Sequence, residues 1–546
     1  MHIDLDRTQS EPVYRQIALH LRALIESGAL PAGTRLPPSR NLARTLGVNR
    51  ATVTAAYDAL GTLGVVEATV GRGTFVRPCA LTSSGSPSAS GSPSAFGSPS
   101  ASGAPSAETP ASFPASTARN SSEPPELGTT PAANHPATFS RGIDELLRYP
   151  AREPVASDHP HAVDFAALYP DESLFPVTTF RRLMAEILAR RGRELLQYSA
   201  PEGDPDLRAY IAGELRRAGV QVAADDILIV NGAQQGLDLL LRTFVDPGDP
   251  VVVESPTYWS VLPALGFYRA EVIEVPMTPH GIDTDVLAAA LATRRPKLIY
   301  TMPNFQNPTG ITMSLETRRR LTELARRHAV PVIEDDYEKD LRLRGDGLPS
   351  LKAIAPDALI MHLGTFSKGL FPGVRLGWIA APTVVRERLV LAKRYADLHT
   401  SALAQAVIAA FCRGGHYARH IAKLHRVYRD RRAALLAALE RHFPAEASWT
   451  RPDGGYALWV TLPRPIHVPD LLAEARAEGV VFTPGHYFFN SDRGDNCLRL
   501  SIARADCAAI ERGSQILGRI IKRRLRAGSD PDNRIRRAAA HALPHL

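Results

Sequence analysis

The chain is poor in cysteine and has no long apolar run. Its four cysteines, Cys79, Cys412, Cys497 and Cys507, are scattered and form no Cys-x-x-Cys pair, which argues against a zinc site or a disulfide framework. His399, His416 and His486 show no ligand spacing, so no metal is expected. No apolar stretch reaches the roughly 18 to 20 residues that cross a bilayer, and the N-terminus lacks the basic, apolar and small-residue succession of an export leader. A cytoplasmic protein with no membrane partner is the expectation. Charge of one sign is not in large excess either: 64 Lys and Arg stand against 56 Asp and Glu, for a net charge of +8. That surplus suits a polyanionic partner without identifying one. Part of it lies in "IKRRLRAGSDPDNRIRR", which reads as the solvated end of a helix running into a disordered basic tail over 527–546. The rest is an ordinary globular composition, 44% hydrophobic and 22% charged over 546 residues, long enough for several domains.

Ser, Pro, Ala and Gly dominate residues 79–140, where the hexapeptides "GSPSAS", "GSPSAF" and "GSPSAS" are followed by a degraded "GAPSAE". Such a stretch cannot bury enough apolar surface to offset its ordering entropy, so it reads as a disordered linker. About 60 residues of flexible chain have a root-mean-square span of roughly 40 to 45 Å. The linker separates a head, residues 1–78, from a body, residues 141–526.

The head reads as three helices and a hairpin. Ile17, Leu21, Leu24 and Ile25 form one apolar stripe, and "PAGTRLPPS" turns the chain. Ser39 is the expected N-cap of "RNLARTLG", ended by Gly47; Asn49 is the expected N-cap of "RATVTAAYDALGTLG", ended by Gly64, with Val53, Tyr57 and Leu60 toward the core. Two short helices joined by a tight turn suit a helix-turn-helix, whose second helix enters the major groove by its first residues, here Asn49, Arg50, Ala51 and Thr52. "VVEATVGRGTFV" alternates like two strands around Gly71-Arg72-Gly73, a wing with one cation at its tip. From "YRQIALHLRALIESG" to "GRGTFV" the head resembles the winged-helix domain of the GntR family. That resemblance implies double-stranded operator DNA as a partner, with Arg40, Arg50 and Thr52 on phosphates or base edges and Gly71, Arg72 and Gly73 near the minor groove.

In the body, apolar runs alternate with helical stretches: "DDILIVNG", "PVVVESP", "AEVIEVP", "KLIYTMP", "VPVIEDD", "LIMHLGTF" and "LGWIAAP". The pattern predicts an α/β sheet covered on both faces, with ligand groups at strand ends, in a large lobe over about 175–400. A long helical stretch and then short strands and helices follow, predicting a smaller α+β lobe over about 401–526. The polar residues at the strand ends match what pyridoxal phosphate needs: a lysine for its aldehyde, a carboxylate for its ring nitrogen and donors for its phosphate. Lys368 follows a strand in a Gly-containing turn, and Asp335 closes "VPVIEDD". Gly232-Ala233-Gln234 opens a helix straight after a strand, which aims free N–H groups at an anion. Arg375, Thr365 and Ser367 add donors; Asn307 and Tyr337 can reach the ring's phenolic oxygen, and Tyr258 can lie on the ring, with Trp259 beside it as the alternative packing residue.

Across about residues 160–525 these stretches resemble fold-type I pyridoxal-phosphate aminotransferases. "SKGLFPGVRLGW" then implies the Schiff-base lysine at Lys368 and a phosphate ligand at Arg375; "PNFQNPTG" implies the ring-oxygen partner at Asn307, and "IEDDYEKDLR" the ring-nitrogen partner at Asp335. "CLRLSIA" implies the arginine for a substrate's α-carboxylate at Arg499, and "QYSAPEGDPDLR" a tyrosine, Tyr198, that reaches the phosphate of a neighbouring subunit. A GntR-type head joined by a long linker to such a body is the architecture of the MocR subfamily of regulators. The resemblance implies a head-to-tail homodimer that senses pyridoxal phosphate or an amino acid or amine effector at Lys368 and regulates transcription. The alternative from another class is a working aminotransferase with an accessory DNA-binding head.

Overall fold

The computed structural model describes residues 13–27, 29–62, 65–69, 73–76, 139–149, 162–464 and 466–529. They fall in two compact units, Met1–Gly128 and Thr129–Leu546.

In the first unit, helices Val13–Glu26, Ser39–Leu46 and Arg50–Thr62 precede an antiparallel hairpin of Val66–Thr69 and Gly73–Val76, paired from Val66↔Val76 to Thr69↔Gly73. Spacing of i, i+4 and i+8 brings Ile17, Leu21 and Ile25 to one side of the first helix, where they bury with Val53, Ala56, Tyr57 and Leu60 of the third. Leu24 is half-buried at the margin. The loop between the first two helices joins the hairpin: Leu36 N donates to Thr74 O and Val76 N to Thr34 O. Tyr57 ties the third helix to that loop through a 2.7 Å bond to Pro37 O, and burial pushes its phenol up to about 12. Ser39 is not the N-cap of the second helix. Pro38 holds that position, its ring fixing φ at −54°, and Ser39 is the first helical residue, with Oγ accepting from Arg50 Nε at 3.4 Å. Gly47 ends this helix at φ 61°, as its lack of a Cβ allows. Gly64, Gly71 and Arg72 lie outside the described residues, as does the side chain of Arg40.

The second unit is built on an eight-stranded sheet in the order Ile227–Val230, Gly377–Ala380, Ile360–Thr365, Val332–Asp335, Leu298–Thr301, Pro250–Ser255, Glu271–Thr278, Gly281–Ile282. All seven apolar runs read from the sequence are strands of it. The strands from Ile360–Thr365 through Glu271–Thr278 pair in parallel, whereas Gly377–Ala380 runs antiparallel to both its neighbours. The central strands are buried on both faces, which is why they read as continuous apolar runs and not as alternating ones. Ala402–Arg413 packs against this part of the body, with Val407, Ile408 and Phe411 joining Phe366 and Trp378 in one core. A second core gathers the 27-residue helix His416–His442, the helices Val468–Ala477 and Cys507–Ser529, and an antiparallel sheet of Ser448–Trp449, Ala457–Thr461, Cys497–Ser501 and Thr483–Pro484. Val163–Asp164, early in the body, pairs in parallel with Val480–Val481 and so belongs with this smaller lobe. No described helix is long and apolar enough to cross a membrane.

Candidate cofactor site and DNA-facing helix

Six strands of the large sheet point the same way, and their C-terminal ends open into a cavity of about 630 Å³. Ligands of open α/β sheets settle at such edges. Ala233, Gln234, Tyr258, Asn307, Asp335, Tyr337, Thr365, Ser367, Lys368, Arg375 and Arg499, all singled out in the sequence, line it together. Arg499 comes from the smaller lobe, on strand Cys497–Ser501, and faces the large-lobe groups.

Gly232 stands at the start of helix Ala233–Phe244 with φ 80°, and a Cβ there would lie 2.7 Å from Arg375 Nη2. The absence of that Cβ lets the guanidinium lie against the helix start, where Nη2 also donates to Asn231 O at 3.1 Å. Thr365 Oγ1 accepts from Ser367 N, closing the turn that carries Lys368. Lys368 Nζ donates to Leu168 O at 2.5 Å, and Tyr456 OH donates to the Lys368 carbonyl at 2.7 Å. Arg499 is buried and donates to Ala166 O at 2.5 Å, Thr483 Oγ1 at 3.0 Å and Asn307 Oδ1 at 3.1 Å. Tyr258 OH meets Gln234 Oε1 at 3.4 Å, whereas Tyr337 OH donates to Phe305 O at 2.9 Å.

Withdrawal from water is the largest influence on the charges here. It lowers Lys368, with Arg499 acting in the same sense against the opposing pull of Glu338 and Asp335. Burial raises Asp335 to about 6; the bond from Tyr300 OH, 2.7 Å to Oδ2, lowers it, and neighbouring Asp336 raises it. The other oxygen of Asp335, Oδ1, is buried without a hydrogen-bond partner among the described residues. Such an orphan acceptor lining a cavity with three cations fits a ligand that brings a positively charged donor.

Three features of the site are not marked by the motifs. Asp164 and Ala166–Tyr169 line it, and two of them work through backbone carbonyls, which no residue type announces. Tyr300, inside "KLIYTMP", was the polar interruption of an apolar strand. Glu338 sits within "EDDYEKDLR": it is buried, accepts from Tyr456 N at 3.2 Å, and burial raises it to about 7. Tyr198 lies outside the cavity, exposed, with its ring edge-on to His399 at 5.8 Å. In the head, Asn49 and Arg50 are exposed and Thr52 partly so, at the start of the third helix. Gly73 opens the second strand of the wing.

A mostly parallel sheet with Asp335 at one strand end and Lys368 just past another, facing Arg499 of a smaller lobe, defines an aminotransferase-type body, here carried with a winged-helix head. Residues 167–517 match the aminotransferase class I and II family, and residues 13–76 match the gntR family of bacterial regulatory proteins. The chain belongs to the class I and II aminotransferases and, by its gntR-type head, to the MocR subfamily of GntR-family regulators; its cofactor is pyridoxal 5'-phosphate. It is 32% identical to the probable rhizopine catabolism regulatory protein MocR of Rhizobium meliloti, over 89% of each chain. To 2-aminoadipate transaminase of Thermus thermophilus it is 36% identical, over 70% of this chain and 96% of that one. The crystal structure of LysN, an alpha-aminoadipate aminotransferase from Thermus thermophilus complexed with N-(5'-phosphopyridoxyl)-L-leucine, has a TM-score of 0.64 at 35% identity, over 70% of this chain and 95% of that chain.

Proposed function

We propose that the protein is a transcriptional regulator whose body holds pyridoxal phosphate and reads out an amino compound. The observation that carries this reading is the meeting of Lys368, Arg375, Arg499 and the half-satisfied Asp335 in one cavity. When bound, the cofactor supplies an aldehyde that bonds an amine and a ring that withdraws electrons from the carbon bearing that amine. Lys368 offers its amine, kept more often neutral by its lowered pKa. Asp335, with its unpartnered Oδ1, would pair with the ring nitrogen, Asn307 and Tyr337 would serve the ring oxygen, and Tyr258 would pack on the ring. Arg375, Thr365, Ser367 and the amides after Gly232 would hold the phosphate.

Arg499 receives the α-carboxylate of an incoming amino acid, exchanging neutral acceptors for a charged one. Because Arg499 belongs to the smaller lobe and Lys368 to the larger, an amino acid bound to both bridges the lobes. It shifts their equilibrium only by its differential affinity for two arrangements. Arg40, Asn49, Arg50, Thr52 and the wing residues Gly71, Arg72 and Gly73 contact operator DNA. A second copy completes the site, with Tyr198 reaching across; its exposure outside the cavity, edge-on to the ring of His399 at 5.8 Å, supports such a reach.

The test is full-length protein titrated with amino acids while visible absorbance and operator binding are followed together. Lys368→Ala is expected to abolish the covalent cofactor signal and the amino-acid response, and Arg50→Ala to weaken DNA binding with the cofactor signal intact. An unchanged amino-acid response in Lys368→Ala would sink the proposal. Similarity to 2-aminoadipate transaminase favours a second reading, a working aminotransferase. Repeated turnover of an amino acid with a 2-oxo acid, without any change in DNA binding, would establish that one instead.

A further inference from the structure

The cavity has walls beyond the groups assigned above. Among its described charged residues, Lys368, Arg375, Arg499 and Asp335 already have places, and Asp164 serves its own turn, Oδ1 accepting from Ala166 N at 2.8 Å and Ala167 N at 2.9 Å. The remaining wall is largely apolar, with Leu168, Met302, the ring of Tyr169 and, foremost, Trp259. Trp259 packs on a cluster with Trp459 and Phe488, whose rings meet edge to face at 5.7 Å and 83°. Phe488 also lies beside Arg499, its ring centroid 5.4 Å from the guanidinium carbon. The loop before Trp259 is pinned to the same element, Thr257 N donating to Phe488 O at 2.8 Å. A fixed aromatic wall therefore begins next to the carboxylate anchor.

An α-amino acid with its carboxylate on Arg499 and its amine toward Lys368 has its side chain left to meet the rest of the lining. Each methylene buried there is worth about fourfold in affinity. A distal carboxylate brought against the Trp259 indole would lose hydration without gaining a charged partner among the described lining residues, whose cations are already assigned. We propose that the amino compound read by this site is an α-amino acid with an uncharged, apolar or aromatic side chain, and that Trp259 is the residue that selects it. The inference rests on the reading of Lys368 and Arg499 given above.

The experiment uses the full-length protein loaded with pyridoxal phosphate. L-leucine, L-phenylalanine, L-glutamate and L-2-aminoadipate are each titrated against the visible absorbance of the bound cofactor, and cofactor content is measured on every sample. Leucine and phenylalanine are expected to half-saturate at concentrations about tenfold or more below those for glutamate and 2-aminoadipate. Trp259→Ala should shrink that ratio toward one, and Trp259→Arg, which keeps a large side chain, should reverse it. Glutamate or 2-aminoadipate ahead in the native protein overturns the inference while the function reading stands. So does an unchanged ratio in both variants with cofactor retained. A native chain that takes up no cofactor overturns the function reading and this inference with it.

Discussion

Glu334 and Asp335 are neighbours on one strand, both buried, on opposite faces of the sheet, and they are equipped in opposite ways. Burial alone would raise Glu334, but His362 at 3.4 Å and the amides of Leu351 and Lys352, at 2.6 and 3.0 Å, overcome it and hold the carboxylate below its usual range. Asp335 has a single strong donor, Tyr300, and stays raised at about 6. A carboxylate whose oxygens are all engaged is part of the frame; one kept short of donors on the cavity side is held for a ligand.

The sharpest test of this contrast is stability. Glu334→Ala leaves two amides and a buried histidine without their partner and should cost about 3–5 kcal/mol in denaturant unfolding. The loss should be full near neutral pH and shrink in acid, because a depressed carboxylate contributes stability above its unfolded pKa and loses it as pH falls through the folded value. Asp335→Asn should behave inversely. The cofactor-free variant should be as stable as the native chain or more so at pH 8, with the advantage gone below about pH 4, since a raised carboxyl opposes folding as pH rises. Its cofactor affinity should fall by about 100-fold, the scale of a buried charge pair that loses one member.

A smaller effect concerns pH. In the native chain, cofactor affinity should drop as pH falls through about 6, where Asp335 takes up a proton. Protonation of Lys368 adds to the drop, so the part belonging to Asp335 is the difference between native and Asp335→Asn titrations. Smallest is Glu338→Gln. Removing the acid whose charge pulls Lys368 upward should lower the lysine further, read from the pH dependence of the lysine's reaction with the aldehyde. An equal loss of stability in Glu334→Ala and Asp335→Asn would break the contrast.

The sequence carried the sheet well because strands buried on both faces are continuous apolar runs. It did not carry strand direction, so the antiparallel Gly377–Ala380 is visible only in the fold. Asp335 and Lys368 were legible because a carboxylate closing an apolar strand and a lysine in the turn after another stand out, whereas Arg499, in the middle of Cys497–Ser501, was legible only through the family resemblance of "CLRLSIA". Their partners were not: Leu168 is 200 residues from Lys368 and Ala166 is 333 from Arg499, and both act through the backbone. In the head, Ser39 next to an apolar-patterned helix has the composition of a cap, but the fixed φ of Pro38 moved the boundary by one residue.

Those two carbonyls have a further consequence. Lys368 and Arg499, from different lobes, rest their donors on residues two apart in one short segment. Neutral oxygens are strong enough to keep the two donors apart and oriented, and weak enough to be outbid by a carboxylate or by a covalent bond. The site thus has its two nitrogen donors parked on placeholders, so that ligand entry is an exchange of partners and not the opening of a closed door.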